Sequence, residues 1–180
     1  MNFSELEIPE NILRGVYSYG FEKPSMIQSK SIPKIIEGKD IIAQAQSGTG
    51  KTGAFSIGVL SSIDESKNEI QGLIIEPTRE LAEQVYQVFQ DLSSYTKIKI
   101  MKCIGGTNVM MCKKELERNP HIIIGTPGRC LDMISNNYLI TENLKIMILD
   151  EADEILSYGF KETIYDIIQR LPKISQICLF

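Results

Sequence analysis

"DIIAQAQSGTGKT" at 40–52 joins a short apolar run to a loop with two glycines, and the loop opens onto a helical pattern. Strand, glycine loop and helix in that order let backbone N–H groups converge on phosphate oxygens, with the positive end of the helix dipole behind them. Gly48 and Gly50 allow close backbone approach and unusual dihedrals. Ser47, Gly48, Thr49 and Gly50 are the candidate phosphate cradle, Lys51 reaches toward the β- and γ-phosphates, and the Thr52 hydroxyl suits Mg²⁺. The place where this kind of loop usually opens with glycine holds Ala45.

The rest of the chain reads outward from that unit. Five more apolar runs follow: "LIIE" at 73–76, "IKIMKCI" at 98–104, "HIIIG" at 121–125, "IMILD" at 146–150 and "QICLF" at 176–180. They are continuous rather than alternating, the pattern of strands covered on both faces. Between them, Leu81, Val85, Val88, Phe89 and Leu92 make one helical stripe, and Phe160, Ile164, Ile167, Ile168 and Leu171 make another. Strands alternating with helices predict an α/β fold with a mostly parallel sheet and helices on both faces. "DESKNEIQ" at 64–71 reads as a surface loop. Residues 1–39 read as an N-terminal appendage with a helical patch at Ile12–Tyr19, and 40–180 as the domain that carries the phosphate loop.

"DEAD" at 150–153 puts three acids directly after a buried strand. In an open parallel sheet, ligands bind beyond the carboxyl ends of the strands. Asp150 is therefore expected to hold Mg²⁺ opposite Thr52, and Glu151 to orient and deprotonate a water attacking the γ-phosphate. Taken alone, the same acids also read as an ordinary helix start. Asp153 is assigned to bonding a neighbouring loop.

Composition narrows the class. No apolar run approaches the ~20 residues of a membrane span, and the acidic N-terminus is no secretory signal. The four cysteines form no CxxC pair, which points away from a disulfide framework or zinc site and toward a reducing compartment. A single histidine, His121, makes no metal cluster and reads as a strand-edge residue. The net charge of −4 argues against a polybasic nucleic-acid binder but leaves a local site open.

With both motifs in hand, the chain resembles the DEAD-box RNA helicases of superfamily two. Phe21 with "PSMIQ" at 24–28 is similar to the family's Q motif, and "AQSGTGKT" at 45–52 to motif I, where Ala45 is ordinary. "PTRELA" at 77–82, Gly105–Gly106, "TPGR" at 126–129 and "DEAD" follow in the family's order. "LRGVYSYGFEKPS", "IAQAQSGTGKT", "CIGGTN" and "DEADEILSYGF" resemble the translation initiation factor 4A subfamily, with nuclear exon-junction relatives as the alternative. A departure is Glu76, where the family usually has a small residue, and it sets an acid beside a loop read as RNA-contacting.

The resemblance implies a RecA-like P-loop three-layer sandwich and a cytoplasmic, ATP- and Mg²⁺-dependent RNA helicase of translation initiation. It implies adenine recognition by Gln28, whose planar amide matches adenine N6 and N7, with Phe21 stacking on the base. By residue type alone Phe21 reads equally well as core. Pro77, Thr78, Arg79, Gly105, Gly106, Thr126, Pro127, Gly128 and Arg129 become a backbone cradle for single-stranded RNA or mRNA. By residue type alone the two arginines also read as surface ion pairs. The family's Ser-Ala-Thr motif would follow Phe180. A second RecA-like domain and a translation-initiation scaffold protein are therefore the expected partners. Against this stand a small-molecule P-loop kinase, which would need a polar lid, and a nucleotide-gated RNA clamp, which would use the same motifs.

Overall fold

The computed structural model describes every residue of the chain except Tyr158, so the Tyr158 position of "DEADEILSYGF" lies outside the described residues. A 3-10 turn at Phe3–Glu5 precedes α1 (Glu10–Tyr19) and α2 (Met26–Ile36). Then come β1 (Ile41–Ile42), α3 (Lys51–Ser62), β2 (Gly72–Ile75), α4 (Arg79–Leu92), β3 (Ile100–Cys103) and α5 (Val109–Leu116). The chain continues through β4 (Ile122–Gly125), α6 (Pro127–Ser135), β5 (Ile146–Leu149), α7 (Ala152–Ser157), α8 (Lys161–Gln169) and β6 (Gln176–Leu179).

The six strands form one parallel sheet in the order β1-β6-β5-β2-β4-β3. All six apolar runs of the sequence lie in it. The inner strands alternate between two core layers, whereas on the edge strand β1 Ile42 is exposed. Ile74, Ile124 and Ile148 face the layer built with α1, α2, α3 and α4. Leu73, Ile75, Ile123, Met147 and Leu149 face the layer of α5, α6, α7 and α8. Because both layers are apolar, the alternation of faces leaves no alternation in the sequence.

Local chemistry starts the helices. Ser25 and Gln28 form a reciprocal capping box on α2, the Thr78 hydroxyl accepts from the Leu81 N–H on α4, and Pro127 opens α6. At the opposite end of the sheet the lone histidine is structural: His121 Nδ1 accepts from the Lys99 N–H at 2.9 Å. The first 36 residues supply Phe3, Leu6, Ile8, Ile12, Val16, Ile32 and Ile35 to the first core layer. Cys103, Cys112, Cys130 and Cys178 are buried free thiols.

α1 crosses α4 at Gly15, a residue whose place in a helix interior otherwise costs roughly 0.5–1 kcal/mol relative to alanine. A Cβ there would stand 2.0 Å from the Leu92 carbonyl oxygen, a backbone atom that cannot step aside. Gly15→Ala is expected to destabilise by about 1–3 kcal/mol through overpacking and to lower the thermal midpoint by roughly 3–10 °C. Circular dichroism melts measure this, and an unchanged midpoint would show that α1 is free to shift on α4.

Candidate functional site

The phosphate loop leaves β1 and ends at Gly50, which caps α3 with a left-handed φ of 90°. Gly48 is also left-handed, at φ 80°. The Thr49 hydroxyl donates to the Gln46 carbonyl at 2.7 Å and tightens the turn. The amino end of α2 is docked against the loop: Gln28 Nε2 donates to the Gly50 carbonyl at 3.1 Å. A Cβ on Gly50 would lie 2.7 Å from Gln28 Nε2 and 2.8 Å from Ser25 Oγ, so glycine is required there by space as well as by φ.

Lys51, the first residue of α3, reaches across to the end of β5. Its Nζ stands 2.7 Å from Glu151 Oε1 and 3.2 Å from Asp150 Oδ1. Burial alone would lower the Lys51 pKa, but the hydrogen bond to Glu151 and the charge of Asp150 outweigh it, so the ammonium is held charged. The two acids differ in setting. The Asp150 side chain is 4 % exposed and that of Glu151 is 40 % exposed. The Glu151 N–H donates to Asp150 Oδ1 at 3.0 Å. Glu151 itself is left-handed, with φ 50°, a conformation that costs a non-glycine residue on the order of 1 kcal/mol. Strain of that kind at the turn after a strand is a mark of functional sites.

Among the grooves that line the loop, two bear on the candidate residues. One, of about 500 Å³, is lined by Phe21, Ser25, Gln28, Gly48, Thr49 and Gly50. The other, of about 430 Å³, is lined by Gln44, Gln46, Lys51, Glu151 and Asp153 among others. Phe21 belongs partly to the core, with its ring centroid 4.9 Å from that of Tyr19 and 6.1 Å from that of Phe3. Its ring tip lies against Gly53 in the first turn of α3, where an added Cβ would be 3.0 Å away. Gln28 is nearly fully buried, and its amide is in use. Oε1 accepts from the Ser25 N–H at 3.0 Å while Nε2 holds Gly50. Each end of the amide keeps one further bonding position. The Thr52 hydroxyl and the Asp150 carboxylate are hard oxygen donors of the kind Mg²⁺ takes.

The loops after β2, β3 and β4 touch one another. Arg79, exposed at the start of α4, packs on the glycine pair: a Cβ on Gly106 would lie 2.3 Å from its Nη1. The Gly105 N–H donates to Thr126 Oγ1 at 3.2 Å. Arg129 donates from Nη1 to Thr107 Oγ1 at 3.0 Å and from Nη2 to the Thr107 carbonyl at 2.8 Å. Neither arginine forms a salt bridge among the described residues. The amino ends of α4 and α6 open on this face, with Thr78 capping one and Pro127 and Gly128 opening the other, while Pro77 leads into Thr78. Behind the loops sits a packed floor, since a Cβ on Gly125 would strike the Cys103 carbonyl at 2.3 Å and Cys130 Sγ at 2.4 Å.

Two acids are placed differently from their reading in the sequence. Asp153 is exposed on the first turn of α7 and makes no hydrogen bond among the described residues, so the loop bond assigned to it is not seen. Glu76 directly precedes the arginine-bearing loop, but its side chain does not join that loop's surface. It is fully buried and faces Asp150. Strand register was the missing signal: the sequence shows a strand end at each acid, but not that the two strands are neighbours.

The DEAD/DEAH box helicase family profile matches residues 25–180. The chain belongs to the DEAD/DEAH box helicase family. This DEAD/DEAH box domain is 51 % identical over 175 residues to the ATP-dependent RNA helicase FAL1 of Yarrowia lipolytica, covering 97 % of this chain and 44 % of that protein. It is 51 % identical over 178 residues to eukaryotic initiation factor 4A of Drosophila melanogaster, covering 99 % and 44 %. It superposes with a TM-score of 0.93 on a DEAD box protein from the hyperthermophile Methanococcus jannaschii, 40 % identical, over 100 % of this chain and 49 % of that one. With S. cerevisiae Dbp5 bound to RNA and ADP BeF3 the TM-score is 0.92 at 35 % identity, over 99 % and 46 %. The chain spans less than half the length of the curated relatives it matches, and the six-stranded parallel sheet is the family's RecA-like fold.

Burial pushes the Glu76 carboxyl from its ordinary value of 4.5 up to about 11, and the neighbouring Asp150 pushes the same way. An acid with a raised folded value keeps its proton in the native state and gives it up on unfolding. Its contribution to stability is full below 4.5 and falls steadily as pH rises toward 11. Glu76→Gln is neutral at every pH. Its thermal midpoint is expected to rise relative to the unmutated chain between about pH 5.5 and about pH 8.5. A difference that stays flat across this range would show that Glu76 is charged in the fold.

Proposed function

We propose that this chain is the ATP-binding half of an ATP-dependent RNA helicase of translation initiation, acting in the cytoplasm on single-stranded RNA or mRNA. The observation that carries the reading is the reach of Lys51 from the phosphate loop to both acids of the "DEAD" turn. It supports a single site that joins phosphates, metal and water. On this reading the loop N–H groups of Ser47 to Gly50 hold the phosphates, and Lys51 exchanges its carboxylate partners for β- and γ-phosphate oxygens. Thr52 and the buried Asp150 would hold Mg²⁺, which when bound neutralises phosphate charge. The more exposed Glu151 orients the attacking water and accepts its proton. The exposed Asp153 serves contact with the second domain.

Gln28 supplies adenine selectivity through its remaining donor and acceptor, with Phe21 beside the base. The loops carrying Pro77, Thr78 and Arg79, Gly105 and Gly106, and Thr126 to Arg129 hold the RNA backbone through N–H groups and two guanidinium groups. The relatives named for RNA helicase activity and the neighbour solved with RNA support this assignment. The partner that completes the cleft is a second RecA-like domain, which in this family brings arginine fingers to the γ-phosphate. A scaffold protein of translation initiation is the further partner.

Two experiments test the reading. ATP and ADP are expected to bind more tightly than GTP by the roughly 5- to 150-fold that a good bidentate contact provides, and Gln28→Ala to narrow the gap. Calorimetry on this chain decides, and equal affinities for adenine and guanine nucleotides would remove Gln28 from the base site. The 180-residue chain alone should release phosphate near background with or without RNA. A two-domain protein should show RNA-stimulated turnover that Glu151→Gln lowers by about 10²–10⁴ while ADP binding persists. Turnover that survives Glu151→Gln would reassign the base.

A further inference from the structure

The loop after β3 is gripped by guanidinium groups from two neighbouring loops. Arg79, at the start of α4, packs on Gly106, whose φ of 79° is left-handed. Arg129, in the first turn of α6, takes the next residue, Thr107. Its Nη1 donates to the Thr107 hydroxyl at 3.0 Å and its Nη2 to the Thr107 carbonyl at 2.8 Å. One residue thus holds both arms of the guanidinium.

The direction of the hydroxyl is set from behind. Its single proton goes to the Ile104 carbonyl at 2.8 Å, so it turns lone pairs toward Arg129. The Thr107 carbonyl can only accept. Both contacts therefore hold the arginine without adding negative charge, whereas a carboxylate in the same place would offset the charge of the guanidinium. No salt bridge reaches Arg129 or Arg79 among the described residues. A guanidinium carries five N–H donors, and Thr107 takes two of them. Three remain, on a side chain that is half-buried.

We propose that Thr107 is a positioning residue for RNA binding: its two oxygens hold the Arg129 guanidinium in place, charged and with three free donors, for the sugar–phosphate backbone. This rests on reading Arg129 as a residue of the RNA cradle. An arginine loses rotamer freedom when a phosphate orders it, and that loss weakens binding. Thr107 imposes the order before RNA arrives. A neutral acceptor binds a guanidinium less strongly than a phosphate does, so the clamp orients the side chain without retaining it. The same contact joins the glycine-pair loop after β3 to the start of α6 after β4, two parts of the cradle that leave different strands.

RNA-stimulated ATP turnover by the two-domain protein, titrated with an oligouridylate, tests the proposal. Thr107→Val removes the hydroxyl and keeps the side-chain shape, Thr107→Ser keeps the hydroxyl, and Arg129→Ala removes the group that is held. Thr107→Val should raise the apparent KM for RNA about 3- to 10-fold, with kcat at saturating RNA within about twofold. Its affinity for ADP, measured by calorimetry, should not change. Thr107→Ser should stay within about twofold of the unmutated protein in KM. In an Arg129→Ala background, Thr107→Val should change KM by no more than about twofold, because it acts through the arginine. An unchanged KM in Thr107→Val, or a full rise in the Arg129→Ala background, would overturn the positioning role. So would a loss of ADP affinity in Thr107→Val, or a Thr107→Ser variant as weak as Thr107→Val. An unchanged KM in Arg129→Ala would instead take Arg129 out of the RNA cradle, and the proposal with it.

Discussion

All six strands run the same way, so all six chains leave the sheet at one edge. Everything with chemistry in it depends on that constraint. A parallel strand cannot be joined to its neighbour by a short hairpin, so each crossover helix carries the chain back and every strand end faces the same solvent. The phosphate loop follows β1, the glycine pair follows β3, and the "DEAD" acids follow β5. Their separation in sequence is erased by the direction of the strands.

Contacts between those loops then turn a set of ends into a surface. Gly105 is held to Thr126, Thr107 to Arg129, and Gly106 lies under the Arg79 guanidinium. Each of these bonds joins loops that leave different strands. The three loops are thus held in contact as one surface. On the same edge, Lys51 spans from α3 to the end of β5, and the β2–β5 register joins that pair to the strand that feeds Arg79. The nucleotide and RNA sites of the proposed function therefore meet at two adjacent strands, β5 and β2.

On the proposed function, a chain of net charge −4 would bind two anionic ligands, a nucleotide and RNA. Its means are local. Helix amino ends and loop N–H groups present partial positive charge without lysine or arginine. Arg79 and Arg129 face the cradle without salt-bridge partners among the described residues, and Lys51 is held charged by the acids it would leave for phosphate. Overall charge is a property of the whole surface and says little about a site assembled from a few strand ends.

By itself the sequence determined the class and the parts. Six continuous apolar runs, the glycine loop at 45–52 and the stripe from Leu81 to Leu92 were enough for a parallel α/β sheet with a phosphate loop, because backbone geometry and burial act over a few neighbouring residues. The helix α2 around Gln28 was harder to read, since Pro33 sits inside it and its start depends on a capping box. Strand order decided what local patterns could not. That Glu76 stands beside Asp150 and that Arg129 spends its guanidinium on Thr107 follow from which strands became neighbours, and that Gln28 already grips Gly50 follows from the docking of α2 on the loop before α3. Pairing of distant strands is a contest between whole arrangements of the core, and no window of sequence contains it.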